Sequence, residues 1–205
     1  MKKAVVFIII CLVLSLPGQA LCSAEKDPGR WSGNVNLFLG EKFLDEDNWE
    51  PVDQQFEMGL LMDIDFKHRW IPFSLALDLL YSRGEDDVGT LDLGVGTFYT
   101  NVDSRIIELD LGIRKIWEAP KHIRPFIGGG LAIINGEMKA ESIGVSVSDD
   151  ETGYGMWADI GVYVMLSERF NLGIDARWSK AEIDLFDREA KVGGWHIGAL
   201  AGLHW

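Results

Sequence analysis

Every second residue of WSGNVNLFL, 31–39, falls on one apolar face: Trp31, Val35, Leu37 and Leu39 with Gly33, against Ser32, Asn34, Asn36 and Phe38. The pattern returns in 56–66, where Phe56, Met58, Leu60, Met62, Ile64 and Phe66 oppose Glu57, Gly59, Leu61, Asp63 and Asp65. It recurs in 71–81, 107–117, 156–166, 170–178 and 195–205. Segment 125–134, PFIGGGLAII, completes a set of eight, although its triple glycine leaves its facing open. Alternation of this length specifies extended strands, because successive side chains point to opposite faces. No window carries a comparable helical period.

The polarity of the two faces is unusual. A soluble sandwich hides its apolar faces in pairs and dresses its polar faces for water. Here the apolar face is continuous and edged by aromatic residues, while the other face carries Gly, Asp, Asn and a few Arg. The connections alternate as well: 67–72, 118–125 and 167–170 are short, whereas 40–55, 82–105, 135–155 and 179–194 are long. Short turns at one rim and long loops at the other, with apolar side chains outside, describe a transmembrane barrel. Trp31, Phe66, Trp117, Phe170 and Trp205 would form one girdle, and Phe56, Tyr81, Trp178 and Trp195 the other. Indole and phenol rings favour that level because one part is apolar and another can donate a hydrogen bond. The fold class expected is all-β: an eight-stranded antiparallel transmembrane β-barrel, an up-and-down meander.

The first residues agree with export. Residues 1–24 read as a signal peptide: Lys2 and Lys3, an apolar run from Ala4 to Leu16, then Cys22-Ser23-Ala24 as a small-residue cleavage site. That run is too short to cross a bilayer as a helix, which takes about 20 residues. Cleavage after Ala24 removes both cysteines, so the domain 25–205 must hold together without disulfides. A net charge of -13 argues against a nucleic-acid partner, whose phosphates call for Lys and Arg.

With the signal, the eight strands and a C-terminal strand ending in Trp205, the chain resembles the small eight-stranded outer-membrane β-barrels of the OmpA/OmpX and OmpW-like type. The resemblance covers Trp31 to Trp205 and implies residence in the outer membrane of a Gram-negative envelope, among its lipid and lipopolysaccharide. It also implies that Trp195, Leu203 and Trp205 form an assembly signal read by the barrel-assembly machinery. Phe is the usual last residue in that family, and Trp stands here. The last strand would close against the first, which removes both open edges.

A barrel of this size has room for side chains but little more. Counting inward residues from the short-turn girdle puts Asp78, Asp110, Asp159 and Arg177 at similar heights, with Glu57, Glu108 and His196 nearer the long loops. Arg114 falls lower, near Asp63 and Asp175, so an interior charge network is expected. Loops 41–54 and 135–153 are rich in acids, with Lys42 and Lys139 as their lone cations. Divalent cations could join such loops to lipopolysaccharide phosphates. The stretch DEDNWEP lacks the turn glycine and closing glutamate of a calcium loop, and Trp49 within it would dock on the rim or on a partner. No cofactor motif is present. A lipid A-modifying enzyme would need a Ser, His and acid near the outer rim. His68, His122 and His204 fall at the opposite rim, which leaves His196 with Ser179 and Glu182. The reading favoured is a non-enzymatic barrel that stabilises the envelope or presents acidic loops to a partner. An OmpW-like conduit or binding site for a small apolar molecule is the alternative, lined by Phe38, Leu61, Leu80, Tyr163 and Leu200.

Overall fold

The structure, a computed structural model, describes residues 31–45, 49–66, 72–92, 97–117, 122–142, 145–185 and 188–205. The signal segment 1–24, the turn holding His68, and residues 46–48 of the first acidic loop lie outside them. The strands are β1 (Trp31–Leu44), β2 (Gln54–Phe66), β3 (Ser74–Asp92), β4 (Thr97–Ile116), β5 (Ile123–Ser142), β6 (Val145–Met165), β7 (Phe170–Leu185), β8 (Arg188–Lys191) and β9 (Gly194–His204). From β1 to β7 each pairs antiparallel with its neighbour in the chain, and β7 pairs with both β8 and β9. The cylinder closes where β1 meets β9, from Asn34 opposite His204 to Leu44 opposite Gly194. β8 continues β9 upward: Val192 N donates to Ala181 O at 3.1 Å, in step with Trp178 opposite Trp195 and Glu182 opposite Lys191. The barrel therefore has eight walls, as the alternation predicts.

Closure reaches the last residue. Gly33 and Trp205 exchange both backbone hydrogen bonds at 3.1 Å. A side chain on Gly33 would stand 2.7 Å from the Trp205 indole, so glycine is what lets the ring lie over β1. Outside, Leu131 is 69% exposed, Ile160 and Ile174 62%, and Leu37 62%, which is untenable for a belt in water and suited to lipid. Exposed Trp31, Trp117, Phe170 and Trp205 mark the short-turn edge of that belt, and Phe56, Tyr81 and Trp195 the other.

Two expectations change. The long loops are largely strand: β3 and β4 run to Asp92 and Thr97, and β5 and β6 to Ser142 and Val145. Above the belt no lipid meets the outer face, so hydrophobic alternation fades while the hydrogen-bonded ladder continues. β1 likewise extends five residues past Leu39, which carries Lys42 into the lumen rather than into a loop. The facing of 125–134 is also fixed, with Phe126, Ala132 and Ile134 inward and Ile127 and Leu131 outward. A side chain on Gly128 would meet Asp159 Oδ1 at 2.5 Å and Arg114 Nε at 3.3 Å. The glycine tract makes room for that ion pair.

Candidate functional site

The lumen is occupied along its length. Inward positions at mid-height supply Arg114 from β4 and Arg177 from β7, both buried. Arg114 donates from Nη1 to Asp63 Oδ1 at 2.5 Å and from Nη2 to Asp78 Oδ2 at 2.7 Å. Its Nε reaches Asp159 Oδ2 at 3.0 Å. Arg177 donates to Asp78 Oδ2 at 2.5 Å and to Asp110, so Asp78 is shared by both guanidinium groups. Asp78, Asp110, Asp159, Arg114 and Arg177 thus form one connected unit, with Arg114 inside it rather than below it. Asp175 stands against Arg177, 3.7 Å from its Nε, rather than against Arg114. Trp157 is an inward residue that the alternation alone did not single out. Its ring underlies both cations, 5.6 Å from the Arg114 carbon and 4.8 Å from that of Arg177.

A second polar group sits toward the long-hairpin rim. Lys42 Nζ donates to Glu108 Oε2 at 2.6 Å. His196 Nδ1 pairs with Glu57 at 2.8 Å, and its Nε2 lies 3.0 Å from Ser179 Oγ. Ser179, His196 and Glu57 have the spacing of a nucleophile, a base and an orienting acid. Each is nonetheless buried, and Glu108 Oε2 also faces Nε2 at 3.7 Å. Glu57 holds Nδ1, Ser179 and Glu108 share the side of Nε2, and no member of the group reaches the surface. Glu182, the acid expected beside His196 from sequence, is exposed and lies 3.5 Å from Lys180. Above this group, Gln55 Nε2 donates to Ser104 Oγ at 2.5 Å, and Gln55 Oε1 accepts from Ser82 Oγ at 2.7 Å.

Apolar clusters bracket the charges. At the long-hairpin rim Trp49 and Val52 fold in from the β1–β2 connection against Leu44, Ile106, Ile134, Trp157, Ile183 and Val192. Trp49 is fully buried and donates from its indole nitrogen to Lys191 O at 2.6 Å. It docks inside the mouth and closes it. Phe38, Leu61, Leu80, Tyr163 and Leu200, candidates for a conduit lining, pack with Phe126 into a second cluster nearer the short turns. Tyr163 stacks on Phe126 at 4.5 Å and donates to Asp63 at 2.9 Å. These residues are filling.

Two further histidines have local roles. His122 turns the chain before β5 with a φ of 63° and accepts from Met165 N at 2.8 Å through its carbonyl. His204 Nδ1 is 3.0 Å from Asn34 Oδ1. Of the residues expected from sequence to form an assembly signal, Trp195 near the start of β9 and Trp205 just past its end face outward, and Leu203 stands opposite Val35 and Phe170 on the two neighbouring walls. Outside the rim, Arg83 and Arg105 meet Asp103, Lys139 meets Glu141, and Lys191 meets Asp45. No group of three or more His, Cys, Asp or Glu side chains among the described residues is arranged to hold a metal ion.

A closed antiparallel meander with an apolar belt outside, aromatic edges and a charged, filled interior is a transmembrane barrel of the outer-membrane kind. Solved structures agree on the fold. Ail, the attachment invasion locus protein of Yersinia pestis, matches with a TM-score of 0.55 at 15% identity, over 86% of this chain and 100% of that one. The outer membrane protein OprG of Pseudomonas aeruginosa matches with a TM-score of 0.53 at 13% identity, over 85% of this chain and 95% of its own. Neisserial surface protein A gives a TM-score of 0.52 at 9% identity, over 86% and 98%. No protein-family model and no curated protein sequence matches the chain.

Proposed function

We propose that this protein is a non-enzymatic, non-conducting outer-membrane barrel that presents an acidic β-wall outside the cell. The observation that carries this reading is the division of labour along the cylinder: the bore is filled with ion pairs and capped by Trp49, while β3 to β6 continue past the belt. The wall exposes Glu85, Glu141, Asp150 and Glu151, with Arg83 paired to Glu85 along β3 and to Asp103 on β4, and Lys139 paired to Glu141 along β5. Such a surface suits divalent cations shared with lipopolysaccharide phosphates, or a basic partner. The Ail structure holds the heparin analogue sucrose octasulfate. A polysulfate is the wrong sign for this wall, and the likeness is of fold alone. The catalytic reading lacks an accessible nucleophile, because Ser179 and His196 are buried.

Planar-bilayer recording tests the non-conducting part. Reconstituted protein should leave the bilayer silent, and steady single-channel steps would overturn the reading. One observation favours a lateral site for a small apolar molecule. A groove of about 370 Å³ opens between the walls at the level of Phe43, Trp178 and Trp195. An apolar ligand there would quench tryptophan emission, and a Trp195→Ala, Trp178→Ala double variant should lose most of that response.

A further inference from the structure

The charges in the lumen do not balance. Among the described residues, Glu57, Asp63, Asp78, Glu108, Asp110, Asp159 and Asp175 are buried there with only Lys42, Arg114, Arg177 and His196 as basic partners. Even with a cationic imidazole, three carboxylates are left over. Burying an unmatched charge is costly, so something other than these side chains must meet it.

The unmet charge has a location. Among the buried carboxylates of the described residues Asp175 alone has neither oxygen hydrogen-bonded, while Asp159 Oδ1, Asp110 Oδ1 and Glu108 Oε1 are each unpaired and Arg177 Nε, 3.7 Å from Asp175, makes no hydrogen bond of its own. The cross-strand neighbours of Asp175 are Gly161 and Gly198, which offer no side-chain donor. The Phe126 and Phe38 rings lie against those glycines, so apolar carbon fills the space beside the carboxylate. Asp159 is two residues from Gly161 on the adjacent wall, facing the same lumen, a diagonal separation that long or hydrated contacts span. Other polar groups lie toward the short-turn rim, beyond the apolar cluster of Phe38, Phe126 and Leu200. At the short-turn mouth a cavity of about 300 Å³ is lined by Ser32, Asn34, Asp65, Arg124 and His204. Next along the wall, the amides of Asn36 and Asn171 flank Gly202, buried and with no hydrogen bond from either side-chain atom.

We infer that the lumen binds a hard, partly hydrated inorganic cation between Asp175 and Asp159. The available ligands are all oxygen, which selects sodium, potassium, magnesium or calcium over the softer transition metals. Two carboxylates do not make a full coordination shell, so the ion keeps water on its remaining faces, as magnesium commonly does. The ion neutralises part of the surplus and gives the unpaired oxygens a partner.

The test measures unfolding of the purified full-length barrel in detergent micelles, followed by its heat-modified gel mobility at neutral pH. Sodium, potassium, magnesium and calcium chlorides are compared with tetramethylammonium chloride at equal ionic strength, which also separates the candidate ions. At least one inorganic cation should slow unfolding several-fold relative to tetramethylammonium. Asp175→Asn should abolish that difference while leaving the barrel at least as resistant in tetramethylammonium, because the variant no longer buries the charge. Should that variant fail to fold, Asp159→Asn and the metal retained by wild-type protein after dialysis, expected near one ion per barrel, decide the matter. Equal unfolding in every salt would overturn the inference, as would an unchanged cation response in Asp175→Asn, which would place the ion at the acidic wall. Stabilisation by acid alone, with no metal retained, would assign the surplus charge to protons and equally overturn it.

Discussion

At the scale of single residues, the barrel depends on two guanidinium groups that each hold several carboxylates. Arg177 is the sharper test because Asp110 has no other hydrogen-bond donor among the described side chains, its second oxygen being unpaired already. Replacing Arg177 with Met keeps much of the volume and the contact with Trp157 but strands Asp110 and part of Asp78. Removing one partner of a buried pair costs about 3–5 kcal/mol, more than a hydrophobic replacement of the whole pair would. The urea midpoint of Arg177→Met should therefore fall well below wild type, and adding Asp110→Asn should recover part of the loss. An unchanged midpoint would mean that water reaches the network. Lys42, the other buried cation near this network, was harder to read from sequence. It follows Asn34, Asn36, Phe38 and Gly40 on the inward parity, yet Glu41 interrupts the outer apolar face before Phe43 and disguised it as a loop cation.

At the scale of elements, β9 shows how the two faces of one strand divide their duties. Its outward Trp195, Ile197 and Trp205 meet lipid, while inward His196 and Leu200 are buried. A charge on the lipid face costs about 2–4 kcal/mol at the bilayer midplane and less toward the interfaces. Leu203 stands near the short-turn edge, so its energetic penalty is modest, and the stronger effect expected is on recognition before closure. Deleting Trp205 removes the final rung with Gly33, and Leu203→Asp alters the outward pattern beside it. Either change should lower the amount of folded barrel in outer-membrane fractions, whereas His204→Asn should be tolerated. Equal sensitivity of both faces, or normal assembly without Trp205, would remove β9 from the assembly role. The strands within the membrane were legible because lipid imposes a strict apolar face on them. The upper halves of β3 to β6 were not, since no lipid is there to impose one. Within the lumen, parity showed which residues point inward. It could not show that Glu57 from β2, rather than the sequence-adjacent Glu182, meets His196, because that depends on which walls face each other across the bore.

At the scale of the whole molecule, the two rims are built for different surroundings, and this gives the barrel a direction. The short-turn rim has tight connections such as Ser167 to Phe170, where Leu166 N donates to Phe170 O at 2.9 Å. The other rim carries the extended wall and the buried Trp49 cap. Loops too polar and long to sit in the periplasmic turns of a small barrel belong outside, and both chain ends of the described barrel then fall on the periplasmic side. Cysteines placed at exposed positions of each rim report this directly. Asp150→Cys, in β6 above the belt, should react with a membrane-impermeant maleimide on intact cells. Glu168→Cys, in the short turn before β7, should stay unlabelled until the outer membrane is permeabilised. Neither position enters the lumen network, so folding should survive both changes and heat-modified mobility should confirm it. Labelling of Glu168→Cys alone on intact cells would invert the barrel, and the acidic wall would then face the periplasm. Labelling of both without permeabilisation would mean that the cylinder leaks the reagent, in conflict with a bore closed by ion pairs and the Trp49 cap. The experiment thus tests the sidedness on which the wall's proposed role rests and, through its second failure mode, the seal on which the non-conducting reading rests.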